Sequence, residues 1–138
     1  LMGEIANTLI DLESDILGII PKFLINKEKL NLKLQNLKVV ENMTKRKKEL
    51  FKMGDAFLIL PGGTGTIEEV SEVLSWKILK LHNKPIIFLN FDNYWTPLLK
   101  QFEKIIKYKF GNKNLQNQYQ VIKKPKDLEN ILKLWENK

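Results

Sequence analysis

The densest chemistry in the chain lies in one stretch, Ile59-Leu60-Pro61-Gly62-Gly63-Thr64-Gly65-Thr66-Ile67-Glu68-Glu69. An apolar run, Ala56-Phe57-Leu58-Ile59-Leu60, reads as a buried strand and stops at Pro61. Glycines follow at 62, 63 and 65, and a helical pattern starts at Thr66. A strand, a glycine-rich turn and a helix together make the usual phosphate site of α/β proteins. Glycines let the backbone approach an anion, and the first free N–H groups of the helix point at it. Glu68 and Glu69 are then expected in the first helical turn. A loop that only grips phosphate gains nothing from acids there, so they suggest chemistry on the rest of the ligand. A plain structural reading competes. Thr66-Ile67-Glu68-Glu69 fits a capping box, in which Glu69 reaches back to the Thr66 N–H. The loop lacks the Gly-Lys-Ser/Thr of a P-loop and the GxGxxG spacing of dinucleotide binders, which argues against triphosphate transfer.

A second residue stands out by its rarity. Of 23 basic residues only Arg46 is arginine. Its guanidinium is a planar fork of donors that stays charged. Met43, Arg46, Leu50 and Met53 recur at helical spacing, which sets Arg46 in the apolar stripe, away from Lys45, Lys48 and Lys52. An arginine on the buried side needs an anion, either a phosphate or a carboxylate such as Glu28 or Glu69.

These residues need a frame to hold them. The pattern predicts helices over 2–12 (Ile5, Leu9 and Leu12 on one face), 43–54, 66–81, 94–108 and 126–135. Strands are expected over 15–20, 37–40, 55–60, 85–90 and 119–122, with a polar stretch at 22–36 that is loop with some helix. Strands alternating with helices predict an α/β fold: a Rossmann-like, mostly parallel sheet with helices on both faces. Residues 56–60 and 85–90 should be neighbouring parallel strands, each buried on both faces.

Composition narrows the function. A length of 138 residues predicts one domain over 1–138. There is no cysteine, which fits a reducing, cytoplasmic compartment, and His82 is the only histidine, which speaks against a zinc site. No apolar stretch approaches the ~18 residues that span a membrane. The net charge of +7 comes from lysines scattered along helix faces and loops, without base-stacking aromatic signatures. No nucleic-acid partner and no membrane partner is expected.

Three segments carry a family resemblance: Met43-Thr-Lys-Arg46-Lys47, Gly54-Asp55-Ala56-Phe57 and Pro61-Gly-Gly-Thr-Gly-Thr-Ile-Glu-Glu69. They resemble the LONELY GUY family, cytokinin riboside 5′-monophosphate phosphoribohydrolases long labelled "lysine decarboxylase family". Its diagnostic motifs are an Arg-Lys pair on a helix and PGGxGTxxE. The similarity extends through Trp76, His82-Asn-Lys-Pro85, Asn90, Tyr94 and Leu98-Leu99, and upstream to Leu1-Met2-Gly3 and Gly18-Ile-Ile-Pro21.

The resemblance implies that Arg46 and Glu69 are the catalytic pair and that Gly62, Gly63, Thr64, Gly65 and Thr66 hold a 5′-phosphate. It implies that Lys47, Ile67, Glu68, Glu28 and Ser75 line the substrate site. It further implies hydrolysis of the N-glycosidic bond of an adenine-type nucleoside 5′-monophosphate, no cofactor, no metal, and a homodimer with the helices 43–54 and 66–81 near the interface. Family members carry strand and helix units ahead of the segment matching Leu1-Met2-Gly3, so the chain is expected to be an N-terminally incomplete nucleotide-binding domain. The competing reading is a non-catalytic nucleotide- or cofactor-binding module. Lysine decarboxylation would need a pyridoxal Schiff-base lysine, which nothing in the sequence marks.

Overall fold

The computed structural model describes residues 1–25 and 36–136, so Glu28 lies outside the described residues. The chain divides into two compact units, Leu1–Gly54 and Asp55–Lys138. Every ladder among the described residues is parallel, as an α/β fold requires.

The first unit opens with helix α1 (Met2–Asp11), followed by strand β1 (Leu17–Pro21) and a short 3-10 turn at Lys22–Leu24. Strand β2 (Asn36–Val40) pairs with β1 in the register Leu17↔Asn36 to Pro21↔Val40. Helix α2 (Met43–Met53) follows. Asn42 caps it: its side-chain Oδ1 accepts the Lys45 N–H at 2.9 Å, one of the orphan donors of the first turn. Gly54 ends the helix, its N–H donating to the Leu50 carbonyl. An exposed ion pair, Lys38 Nζ to Glu49 Oε2 at 2.7 Å, ties β2 to α2, and that hydrogen bond holds the Glu49 carboxyl below its usual range. The apolar stripe expected on α1 is not the buried one. Ala6 is buried, whereas Ile5 is exposed and Leu12 is the cap residue, beyond the helical face.

The second unit is a three-stranded sheet in the order β3-β4-β5, with β3 at Phe57–Ile59, β4 at Ile86–Leu89 and β5 at Gln120–Ile122. Helix α3 (Thr64–Ile78) links β3 to β4, helix α4 (Thr96–Lys107) lies between β4 and β5, and α5 (Asp127–Glu136) follows. Side chains alternate across a strand, and β4 uses both faces. Ile86 and Phe88 pack with Val70 and Leu74 of α3, Phe102 of α4, Trp95 and Leu115. Ile87 and Leu89 pack with Ile122 and with Leu128 and Ile131 of α5. Helices therefore cover both faces of this sheet, and β4 is buried along its whole length.

β3 departs from expectation. It pairs with β4 in parallel, but it stands at the edge of the described sheet and Leu58 is 42% exposed. Full burial of a parallel strand needs a neighbour on each side and cover on each face. Phe57 and Ile59 have that cover in the α3–α4 core, whereas Leu58 points to the opposite face. No helix among the described residues is long and apolar enough to cross a membrane.

Candidate functional site

The glycine loop leaves the carboxyl end of β3, the end at which α/β sheets bind ligands. Helix α3 begins at Thr64, two residues earlier than its hydrophobic periodicity predicts. Gly63 is the N-cap residue and no side chain caps the helix. The first helical hydrogen bond runs from the Ile67 N–H to the Gly63 carbonyl at 3.2 Å. Thr66 is thus the third helical residue, and the capping box of Thr66 and Glu69 is not formed as such. The amides of Gly63, Thr64, Gly65 and Thr66 go to no acceptor among the described residues. They are the orphan donors that every helix start leaves.

The early start also moves the acids. Glu68 and Glu69 fall in the second turn, and the first turn holds no acidic residue. The positive end of the helix dipole is therefore free of internal negative charge. Glu68 and Ile67 are exposed, and Glu69 is half-buried. Glu69 lies three residues after Thr66, so the two share one helical face.

Each glycine answers a different demand. A Cβ on Gly62 would overlap the Thr66 Oγ1 and come within 2.9 Å of the Thr66 Cβ, so the fold itself excludes a side chain there. A Cβ on Gly63 or Gly65 would meet nothing within 4 Å, and no glycine in the chain has positive φ. Neither packing nor backbone conformation requires glycine at 63 or 65. The space above them is open to whatever approaches the loop.

Tyr94 touches this loop from the sequence distance of β4's far side. Its hydroxyl donates to the Gly62 carbonyl at 2.6 Å. The sequence pattern makes Tyr94 the start of a helix, but α4 begins at Thr96. Residues 90–95 form a turn instead, organised by Asn90. The Asn90 side chain accepts the Trp95 N–H at 2.8 Å and donates to the Thr96 Oγ1 at 3.0 Å. The signal available in the sequence was an asparagine directly after a buried strand, a residue type that bonds backbone groups a few residues on.

The other candidates are carried by other elements or by later turns of α3. Arg46 and Lys47 are carried by α2 of the first unit and are half-buried, whereas Lys45, Lys48 and Lys52 are exposed, as the stripe predicts. The Arg46 Nε is shielded from solvent. Met53, expected in the same stripe, is exposed. Ser75 is on α3, about 13 Å along the helix from Thr66 at 1.5 Å per residue. It is exposed and its hydroxyl donates to the Ser71 carbonyl at 2.7 Å. His82 has a structural task in the loop after α3: its Nδ1 accepts the Lys84 N–H at 3.1 Å, which leaves Nε2 as the donor to the Val73 carbonyl at 2.9 Å. Nearby, partial burial pulls the Lys77 ammonium below its usual pKa while it donates to the Lys84 carbonyl. Among the described residues, no three His, Cys, Asp or Glu side chains gather as a metal site would require.

The family model described as "Possible lysine decarboxylase" matches residues 2–132. The chain belongs to that family. Its LONELY GUY branch supplies the curated relatives. A protein of Oryza sativa subsp. japonica named "Probable cytokinin riboside 5'-monophosphate phosphoribohydrolase LOGL1" is 44% identical over 104 residues, which is 75% of this chain and 47% of the relative. The "Cytokinin riboside 5'-monophosphate phosphoribohydrolase" of Rhodococcoides fascians is 45% identical over 104 residues, 75% of this chain and 52% of the relative. The Arabidopsis thaliana enzyme named LOG3, with the same activity in its name, is 39% identical over 110 residues, 80% of this chain and 51% of the relative. This LONELY GUY chain spans about half the length of the curated relatives it matches.

Proposed function

We propose that the full-length protein hydrolyses the N-glycosidic bond of an adenine-type nucleoside 5′-monophosphate, of the cytokinin class named for its relatives, to free base and ribose 5-phosphate. The observation that carries this reading is the start of α3. Four amides at the helix start have no protein acceptor among the described residues, and the two glycines among them need not be glycine for the fold. The carboxylates begin one turn later. One helical turn is about 5.4 Å, the scale of the ribose that separates a 5′-phosphate from its anomeric carbon. A phosphate on the amides thus leaves Glu69 within reach of the sugar.

In this reaction the bond between C1′ and the base nitrogen breaks, and the base takes the electron pair. C1′ becomes oxocarbenium-like and water adds to it, losing one proton as the base gains one. Glu69 stabilises the sugar cation and orients or deprotonates the water. The family resemblance makes Arg46 the second member of the catalytic pair, and its guanidinium is too weak an acid to protonate the base. By the family resemblance we also assign Lys47, Ile67, Glu68, Glu28 and Ser75 to substrate binding. We place residues 1–138 in one nucleotide-binding domain of a cytoplasmic homodimer that uses no cofactor and no metal.

The test is incubation of the full-length protein with AMP and with isopentenyl-AMP, followed by chromatography for released base. Release of base together with ribose 5-phosphate is the expected result. Tight nucleotide binding with no release would favour the non-catalytic binding module.

A further inference from the structure

We infer that Tyr94 is a positioning residue for phosphate recognition: it fixes the first amide of the glycine loop through the Gly62–Gly63 peptide. The inference rests on the phosphate-anchoring reading of that loop and adds a residue to it.

Gly62, Gly63 and Gly65 give the loop little intrinsic stiffness, and no side chain caps α3. Helix α3 itself orients the amides of Thr64, Gly65 and Thr66, but the Gly62–Gly63 peptide ahead of it must be held from outside if the first amide is to be preorganised. Tyr94 does so at one atom, the Gly62 carbonyl oxygen, at 2.6 Å. A peptide group is planar, with its C=O and N–H pointing in opposite directions. The carbonyl of Gly62 and the N–H of Gly63 belong to the same plane. A hydroxyl pinning one side of that plane therefore aims the other. The Gly63 N–H is the N-cap amide, the outermost of the four without a protein acceptor.

Tyr94 is itself held from behind. Its ring stands edge-on to Trp95 at 5.0 Å and 86°, and Trp95 is 2% exposed in the core. The backbone that delivers it passes through Asp92 and Asn93 at φ of 53° and 60°, a left-handed conformation that Asp and Asn tolerate better than other L-residues. Buried Asn90 fixes both ends of the turn. Its N–H donates to the Ile122 carbonyl at 2.8 Å, and its side chain bridges the Trp95 N–H and the Thr96 hydroxyl. The chain of contact thus runs from β5 through Asn90 and the turn to Tyr94, and from Tyr94 to the loop. Half of the Tyr94 surface remains exposed, so core burial alone does not explain a tyrosine here.

The test compares full-length native protein with Tyr94→Phe, which keeps the ring and removes only the hydroxyl. Binding of AMP, inorganic phosphate and adenosine is measured by calorimetry, with turnover of AMP and the melting temperature alongside. Loss of one hydrogen bond should weaken AMP and phosphate by about three- to tenfold. Adenosine, which has no phosphate, should bind as before, and the melting temperature should stay within about 2 °C. KM for AMP should rise by the same factor while kcat changes less than about twofold, as for an interaction made equally in ground and transition states. Unchanged AMP affinity in Tyr94→Phe overturns the assignment, as does equal weakening of AMP and adenosine, which marks a merely structural tyrosine. Native protein that binds AMP but releases no base refutes the hydrolase reading and leaves the tyrosine assignment to be judged on binding. Native protein that binds neither AMP nor phosphate refutes both.

Discussion

At the scale of single residues, the three loop glycines separate cleanly by what a methyl group would do. Gly62→Ala drives a Cβ into Thr66 and must displace the loop or the helix start. We expect it to destabilise the full-length protein by about 1–3 kcal/mol, as overpacking does. Gly63→Ala and Gly65→Ala place a methyl in open space at negative φ. They should fold with no loss of stability, and Gly65→Ala, inside the helix, with a gain of about 0.5–1 kcal/mol, but both should lose AMP and phosphate binding, since the methyl occupies the approach to the amides. Parallel melting and calorimetric titrations check both halves; unaltered phosphate affinity in both variants would remove the anion site from the loop. Glu69→Gln tests the chemistry. A carboxylate's charge matters most when the sugar is cationic, so base release should fall by at least about 100-fold, the scale on which a positioned acid–base group contributes. Nucleotide binding should persist. Retained turnover would shift the assignment to Glu68. Arg46→Lys should fail as well, because a point charge does not reproduce the guanidinium fork.

At the scale of elements, the strands were legible and the helix ends were not. β4 reads plainly as a continuous apolar run closed by Pro85 and Asn90, and it is buried throughout. The end of α2 was also plain, because Gly54 marks it. Elsewhere the punctuation is missing. After α1, α3 and α4 the chain turns through Glu13, Lys80 and Lys109 at φ of 52°, 61° and 62°. Each is followed by the paired reverse bonds of a Schellman motif: Ser14 to Leu9 with Glu13 to Ile10, Leu81 to Trp76 with Lys80 to Lys77, and Phe110 to Ile105 with Lys109 to Ile106. Glycine normally fills that position. Without it, periodicity runs on, and α3 reads as reaching Leu81 rather than ending at Ile78. The start of α3 misled for the converse reason, since Thr66 looks like a cap while the actual cap, Gly63, has no side chain. Left-handed backbone costs a non-glycine residue about 1–2 kcal/mol, against about 0.5–1 kcal/mol for the extra unfolded-state freedom of glycine. Lys80→Gly and Lys109→Gly should each stabilise the protein by about 0.5–1 kcal/mol. The denaturant midpoint should rise with an unchanged slope, whereas Lys→Ala at either position should give no gain.

At the scale of the whole molecule, much apolar surface stays uncovered in this single chain. Ile67 and Ile78 of α3 are exposed, and Leu79 and Leu81 just beyond it are each 68% exposed. Phe51 and Trp76, the bulky residues that the sequence suggests for an interface, are half-buried. Isolated exposed apolar residues are ordinary, but several within one helix and its exit suit a contact between copies. The proposed homodimer makes a measurable demand. If folding and association are linked, the melting temperature must rise with protein concentration, because mass action favours the assembled state. Charge sets the sign of a second dependence. These 138 residues contribute +7 per copy, so these parts of two copies repel at long range. Salt screens that repulsion over about 10 Å at 0.1 M, so association should strengthen between low and moderate ionic strength. Light scattering of the full-length protein should report twice the subunit mass at micromolar concentration. Leu79→Lys with Leu81→Lys should shift it toward monomer by placing desolvated charge in the contact. A monomer under all these conditions, with a melting temperature independent of concentration, would show that the exposed leucines serve no contact between copies.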